Sequence, residues 1–507
     1  MLVGRQLLKN IFTSWAGFAL RVGITFFFTP FITRALGEER YGAWVVVFAT
    51  LDYLSMADLG MKQSLVRFIS KALGEKRMDR VNGILNTATL IYIGLATITM
   101  TLALIVVANL GSIVTIPSPE LLQETKDTLL VITFEMVVFF LLLPFANTLG
   151  AFHRFDISNM QNMVAEAVRV IVLVYLLKAG YGLVALVWAI FVVSLLRQIW
   201  SIITLKRMYP EIQLQMKSID KSVARDLLGY SKISFLITIM WLVIFRADAY
   251  ILGGLLTVAF AGIYAPAGQI FYYIRNLINS VGTPLVPAVS HLESTGDTQT
   301  LANVYLKGLK YVSFGVTIFS TGCLFYAHDF IRLWLAPAFA PAGDIMMVLA
   351  IPAVIFMPQI VGNSIMFGLS KHNQLLKILL AEGALKIILS IALVKSMGMI
   401  GLAYGTGIPQ VLLYGFVYPQ IICRIVKIPV GRVYLTFFKS VLLGAVTAAP
   451  IAALALTWLP PTTWLTFFGN VTPVVIAGGV VGYFLLEPDD KLRLLDLVRS
   501  RGTSKLS

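Results

Sequence analysis

Charge is scarce in this chain. Only 13% of its 507 residues are Asp, Glu, Lys or Arg, about half the share of an ordinary soluble domain. Cysteine is scarcer still: Cys323 and Cys423 are the only two, and both lie in apolar runs. A disulfide-built scaffold is therefore excluded, and both thiols read as packing residues. The four histidines, His153, His291, His328 and His372, are scattered singly. No metal site is expected from them. No G-x-x-x-x-G-K-[ST] loop occurs, so direct use of ATP is not expected. Glycine has no three-residue period, which excludes a collagen-like chain. Long polar stretches are also few: the longest are about 207–231 and the tail from 487. That leaves no room for a sizeable soluble domain.

What fills the chain is apolar. Hydrophobic residues make up 58%, yet the formal net charge is +15. A basic chain invites a nucleic-acid reading, but this apolar content argues against one. A membrane span needs about 20 mostly apolar residues. Roughly fourteen such runs occur, at 11–34, 42–62, 82–108, 128–150, 162–179, 181–203, 233–256, 258–287, 305–327, 340–368, 373–394, 399–424, 436–458 and 464–486. The expected fold is all-α and polytopic, with about fourteen transmembrane helices. Lys and Arg then set orientation. Alternate connections carry 28 basic residues on one side and 6 on the other. Both termini are expected in the cytoplasm. The first run is too long for a secretory leader and lacks a small-residue cleavage site, so it is expected to remain as an anchor.

An internal repeat organises the runs. Leu36, Gly42 and Trp44 align with Leu256, Gly262 and Tyr264 at an offset of 220. Val66 and Ser70 match Val286 and Ser290 at the same offset. Asn147 and Glu166 match Asn363 and Glu382 at 216. Two parallel six-helix lobes follow, at 1–206 and 232–430. A cytoplasmic amphipathic connector is expected at 207–231, two extra helices at 431–487 and a tail at 488–507. Parallel repeats of this kind are a transporter arrangement.

At this point the residues resemble a family. Thr29-Pro-Phe-Ile-Thr-Arg-Ala-Leu-Gly-Glu-Glu-Arg-Tyr-Gly-Ala-Trp44 and Ala57-Asp-Leu-Gly60 are similar to the opening of polysaccharide and O-antigen flippases. These belong to the multidrug, oligosaccharidyl-lipid and polysaccharide exporter superfamily. Pro287-Ala-Val-Ser290, Leu333-Trp-Leu335, Gly368-Leu-Ser-Lys-His372 and Gly401-Leu-Ala-Tyr-Gly-Thr-Gly-Ile-Pro409 look like matching segments of the second lobe. The resemblance implies movement of undecaprenyl-diphosphate-linked oligosaccharide between leaflets of the bacterial inner membrane by alternating access. It implies membrane lipids as surroundings, and glycosyltransferases and a polymerase of the same pathway as partners. It implies no nucleic acid and no catalysis. Open alternatives are a multidrug exporter, a lipid II flippase, or a membrane glycosyltransferase or polymerase.

Ionisable groups at bilayer depth are costly and point to function. Arg21 and Arg246 lie mid-span in the first helix of each lobe, and Arg275 lies in the next helix of the second lobe. A guanidinium stays charged and grips phosphate oxygens in pairs. These three are the expected cationic cavity, and the resemblance implies the same role by helix and depth. Asp52, Asp248 and Asp58 are candidates for proton or sodium coupling, or for charge balance; no other cofactor is expected. Glu166 with Arg169, and Glu382 with Lys386, stand three and four residues apart on one helix face. They are expected as structural ion pairs. Arg197 is expected to snorkel to the membrane surface, and Glu135 shows no partner in sequence. Pro30, Pro266 and Pro284 are expected kinks or hinges. Trp44, Trp334, Trp458 and Trp464 are expected in an interfacial belt.

Overall fold

In lipid, every backbone N–H and C=O must be satisfied within its own segment, and a helix does this. The computed structural model describes residues 2–58, 61–152, 154–212, 232–282, 285–488 and 491; the side chains of residues 2–21 and of Gln63, Lys232, Ser234 and Val281 lie outside that description. Among the described residues all regular elements are helical. The chain divides into two compact units, Met1–Pro266 and Ala267–Ser507.

The first unit holds α1 (Leu2–Ser55), α2 (Met61–Gly74), α3 (Met78–Ala108), α4 (Pro119–Ala146), α5 (Phe155–Lys178), α6 (Leu183–Met208), α7 (Lys232–Leu255) and the first part of α8 (Val258–Gly282). Within it α4 packs on α3 and α6, and α1 packs on α5 and α7. The second unit holds the rest of α8, then α9 (Leu285–Thr295), α10 (Thr298–Trp334), α11 (Ala342–Phe356), α12 (Ile360–Gly368), α13 (His372–Met397), α14 (Met399–Leu412), α15 (Tyr418–Val426), α16 (Val430–Trp458) and α17 (Trp464–Leu485). There α10 packs on α11, α16 and α17, and α13 pairs with α14. The division between the units falls at Pro266, inside α8.

Among the described residues ten helices are long and apolar enough to cross a membrane. They match ten of the fourteen expected runs. The two arms of α1, together with α8 and α13, are helical but fall outside that set. In α13 the reason is legible, since Lys377, Glu382 and Lys386 fall within three turns.

Some boundaries differ from expectation. The run 42–62 stops early: α1 ends at Ser55, a 3-10 turn covers Met56–Asp58, and the amphipathic α2 begins at Met61. The run 258–287 also divides. Helix α8 ends at Gly282 and α9 opens at Leu285, so Pro287 belongs to the next element. Pro284 lies outside the described residues. Helix α1 runs on through Pro30, and its break lies seven residues later at Gly37 (φ 71°, ψ −179°). A proline kink bends a helix while leaving its residues helical, but a change of direction needs backbone that only glycine adopts freely. Trp334 is only 2% exposed and packs on Phe330 at 5.2 Å. It is core, whereas Trp458, 80% exposed, fits the interfacial belt.

Both repeats fasten their short helix in one way. Ser70 Oγ of α2 donates to the Ala151 carbonyl at 2.9 Å. Ser290 Oγ of α9 donates to the Gly368 carbonyl at 2.7 Å. Isolated hydroxyls elsewhere bond back one turn, as Thr33 to Thr29, Thr50 to Val46 and Thr317 to Ser313 do. Such bonds satisfy a polar group inside an apolar layer without a second helix.

Gly37 has open space around its absent Cβ, so its requirement is conformational. Gly37→Ala is expected to destabilise the protein by about 1–3 kcal/mol. Gly23→Ala, in helical backbone that is also open around the missing Cβ, is expected to be neutral or slightly stabilising. Thermal unfolding of the two variants in detergent compares them.

Candidate functional site

Three groups of intramembrane charge form, two in the first unit and one in the second. The first joins α1 to α7. Arg246 and Tyr250 stand one turn apart and so share a face of α7. Arg246 Nε lies 2.6 Å from Asp52 Oδ2. Tyr250 and Thr50 hydroxyls meet at 2.5 Å, and the Tyr250 ring lies 5.8 Å from that of Tyr53. Asp248 bears electrostatically on Tyr53 together with Asp52 and Arg246. One base and two acids thus gather around Tyr53. The Arg246 and Asp52 side chains are 39% and 37% exposed. An ion pair this open, in an apolar helix layer, faces a space that a polar ligand or water can enter.

The second group joins α4, α5 and α6. Arg169 lies 3.1 Å from Glu166, the expected i,i+3 pair. Glu135 is hydrogen-bonded to Ser194 and lies in the field of Arg169 and Arg197. Glu135 therefore has partners, though they stand on other helices. Arg197 lies within electrostatic reach of Glu135 and Arg169. The Arg169 Nε is buried without a hydrogen-bond acceptor.

The third group is sealed. Glu382 and Lys386 of α13 are each 1% exposed. Glu382 accepts from Tyr414 at 2.8 Å and from Gln410 at 3.3 Å. Lys386 and Arg275 supply positive field at Glu382. Tyr414 sits in a single π-helical turn, Leu413–Val417, between α14 and α15. Such turns are rare and re-aim side chains. The network continues from Tyr418 to Asn363 at 2.9 Å, and from Tyr305 to Gln359 at 3.1 Å. Arg275 also lies over the Tyr272 ring at 5.5 Å.

Asp58 caps rather than joins these groups. It ends the turn Met56–Asp58, accepts from the Tyr92 hydroxyl, and accepts from the Lys62 amide at 3.4 Å. Arg21 lies on α1, and its side chain is outside the described residues. The structure thus joins Arg246 to Asp52, Glu166 to Arg169, and Glu382 to the fields of Lys386 and Arg275. Sequence reading missed Gln410, Tyr414 and Tyr418. Their signal was present, because positions i, i+4 and i+8 form one polar stripe on an apolar helix.

A further contact is made by repeat-related glycines. A Cβ on Gly42 would stand 1.9 Å from the Val258 carbonyl oxygen, and one on Gly262 would stand 2.7 Å from the Glu38 oxygen. Backbones meet there with no space for a side chain. Beside them, Thr115 N donates to the Gly253 carbonyl at 2.7 Å, and Val258 N donates to the Thr115 carbonyl at 3.1 Å.

Removing one member of a sealed charged group leaves the remainder unbalanced. Glu382→Ala is expected to destabilise by about 3–5 kcal/mol. Glu382→Gln, which keeps acceptors and donors for Tyr414 and Gln410, is expected to lose clearly less. Thermal unfolding in detergent ranks them; equal melting temperatures would remove Glu382 from any structural role.

Comparison with known proteins then places the chain. It is 22% identical over 456 residues to the uncharacterised membrane protein EpsK of Bacillus subtilis (strain 168), covering 87% of each chain. In fold it is similar to a structure of lipid II flippase MurJ in an inward closed conformation, with a TM-score of 0.69 and 15% identity over 94% of this chain and 98% of that one. It is also similar to an inward-facing multidrug resistance MATE family transporter of the MOP superfamily, with a TM-score of 0.61 and 12% identity over 80% and 95%. The fold is therefore that of this transporter superfamily. Residues 7–293, more than half of the chain, match the family described as polysaccharide biosynthesis protein, and the chain belongs to that family.

Proposed function

We propose that this protein is a flippase. It carries an undecaprenyl-diphosphate-linked oligosaccharide, an O-antigen or exopolysaccharide repeat unit, from the cytoplasmic to the outer leaflet of the bacterial inner membrane. Family membership supports the pathway. The observation that carries the reading is the open Arg246–Asp52 pair. A diphosphate needs a charged fork to cross a low-dielectric layer, and Arg246 holds one there.

Arg246 is already occupied by Asp52, so an incoming anion competes with a carboxylate. A proton on Asp52 removes that competitor. Proton and anion then favour each other's binding, and linkage makes the effect reciprocal. Once Asp52 loses its proton, its carboxylate competes for Arg246 again and helps expel the anion. Arg21 and Arg275 are likewise proposed as phosphate-binding cations. In this reading the repeat lobes 1–206 and 232–430 open in turn to the two sides, both termini lie in the cytoplasm, and 207–231 links the lobes on that side. Enzymes that assemble the lipid-linked unit act before it, and a polymerase acts after it.

The paired glycines supply an outer closure. Gly42 and Gly262 hold the same place in the two repeats, at ends that the charge bias puts outside. Their backbone contact seals that end, and opening requires them to part. The hinge role proposed for Pro266 fits its place within α8.

Asp52 and Asp248 outnumber Arg246, which favours a second reading as an exporter of cationic small molecules. Proteoliposomes separate the two. Arg246→Ala is expected to lower leaflet exchange of a labelled lipid-linked oligosaccharide by at least tenfold with expression unchanged. Asp52→Asn is expected to retain exchange but lose its response to a pH gradient. Unchanged exchange in Arg246→Ala, alongside efflux of cationic dyes, sinks the flippase reading.

Gly262→Leu is expected to prevent outer closure. A cysteine at Glu38 in that background should label from outside at a rate independent of substrate; protection equal to wild type contradicts the closure.

A further inference from the structure

The turns of the second unit that join α9 to α10, α12 to α13, and α15 to α16 enclose an open basin of about 430 Å³. Three cations line it: Lys371 from one turn, Lys427 from another, and Arg424 from the last helical turn of α15 just before it. None of the three is ion-paired or hydrogen-bonded through its side chain among the described residues. Two acids also line the basin, Glu293 and Asp297. Asp297 is committed, accepting from the Thr300 amide at 2.9 Å as the cap of α10. Glu293 is not. Leu301 and Leu369 give the basin an apolar floor.

Backbone conformation adds an independent sign. Only three described residues other than glycine have positive φ: Lys76, Ser370 and Lys427. Two of them belong to the turns of this basin. Lys427 (φ 56°) ends α15 in the left-handed conformation, with Ile428 N bonded to the Cys423 carbonyl. Glycine is the usual residue there. Placing lysine instead holds backbone strain, and strain of this kind gathers at binding sites. Ser370 (φ 54°) does the same immediately before Lys371.

We propose that this basin binds a small soluble phosphorylated molecule that carries a sugar, of nucleotide or sugar-phosphate size. The volume falls in the range of small-ligand sites. Three cations suit a phosphate or diphosphate better than a single monoanion. Glu293 stands ready to accept from a sugar hydroxyl, and the leucines offer a face to a ring. The charge bias puts the basin on the cytoplasmic side, where such a molecule would be met. The site is separate from the Arg246–Asp52 pair, so it stands or falls apart from the flippase reading.

Calorimetric titration of the purified full chain in detergent tests it, with uridine diphosphate as probe and inorganic phosphate as control. Wild type is expected to bind uridine diphosphate saturably. Lys427→Gly removes the cation and relaxes the backbone, so it should weaken binding at least tenfold without lowering the unfolding temperature. Arg424→Gln should weaken both probes, and Glu293→Gln should weaken uridine diphosphate but not phosphate. No saturable binding below about 1 mM, a weak affinity by any standard, overturns the proposal. So does unchanged binding in both cation variants. Loss of wild-type binding in nanodiscs of phosphatidylglycerol, but not of phosphatidylcholine, assigns the basin to a lipid headgroup and overturns the soluble ligand.

Discussion

A polar group with no water beside it must find its partner in the protein. Nearly everything described here answers to that constraint. Helices satisfy the backbone. Threonine and serine hydroxyls bond back one turn within their own helix. The twelve ionisable residues singled out at bilayer depth are six of each sign, and the described ones other than Asp58 gather in groups rather than standing alone. The +15 of the whole chain is then carried by the connections, where water is available.

The three charge groups obey the constraint to different degrees. Glu382 is closed in by tyrosine and glutamine donors and by two cations. A group so completely answered has little left with which to bind anything else. The Glu135 and Arg169 group is intermediate. The Arg246–Asp52 pair is more than a third open on both sides, so its partners are the least enclosed of the three groups, which is why the transport role is proposed there.

Much of this was legible in the sequence. The helical, multi-pass fold rests on composition and run length, which need no tertiary contact. The Glu166–Arg169 pair was legible because both residues share one helix. The pairing of Arg246 with Asp52 was not, since 194 positions separate them and only packing of α7 on α1 brings them together. Glu135 looked solitary because its partners lie on α5 and α6. Trp334 was misplaced for a related reason: a tryptophan near a span end reads as interfacial until Phe330 is seen to cover it. The α1 break at Gly37 is not legible in the sequence, because positive φ leaves its mark there only as one glycine among many.

Ser70 and Ser290 each hold a neighbouring carbonyl, one per repeat, across halves that share few residues. The bond needs only a hydroxyl at one point and a peptide oxygen at another. Either oxygen can belong to any residue, and here they belong to Ala151 and Gly368. Substitution at the carbonyl end therefore leaves the bond intact, since every residue carries a peptide oxygen. Only the hydroxyl end, Ser70 or Ser290, fixes a side chain.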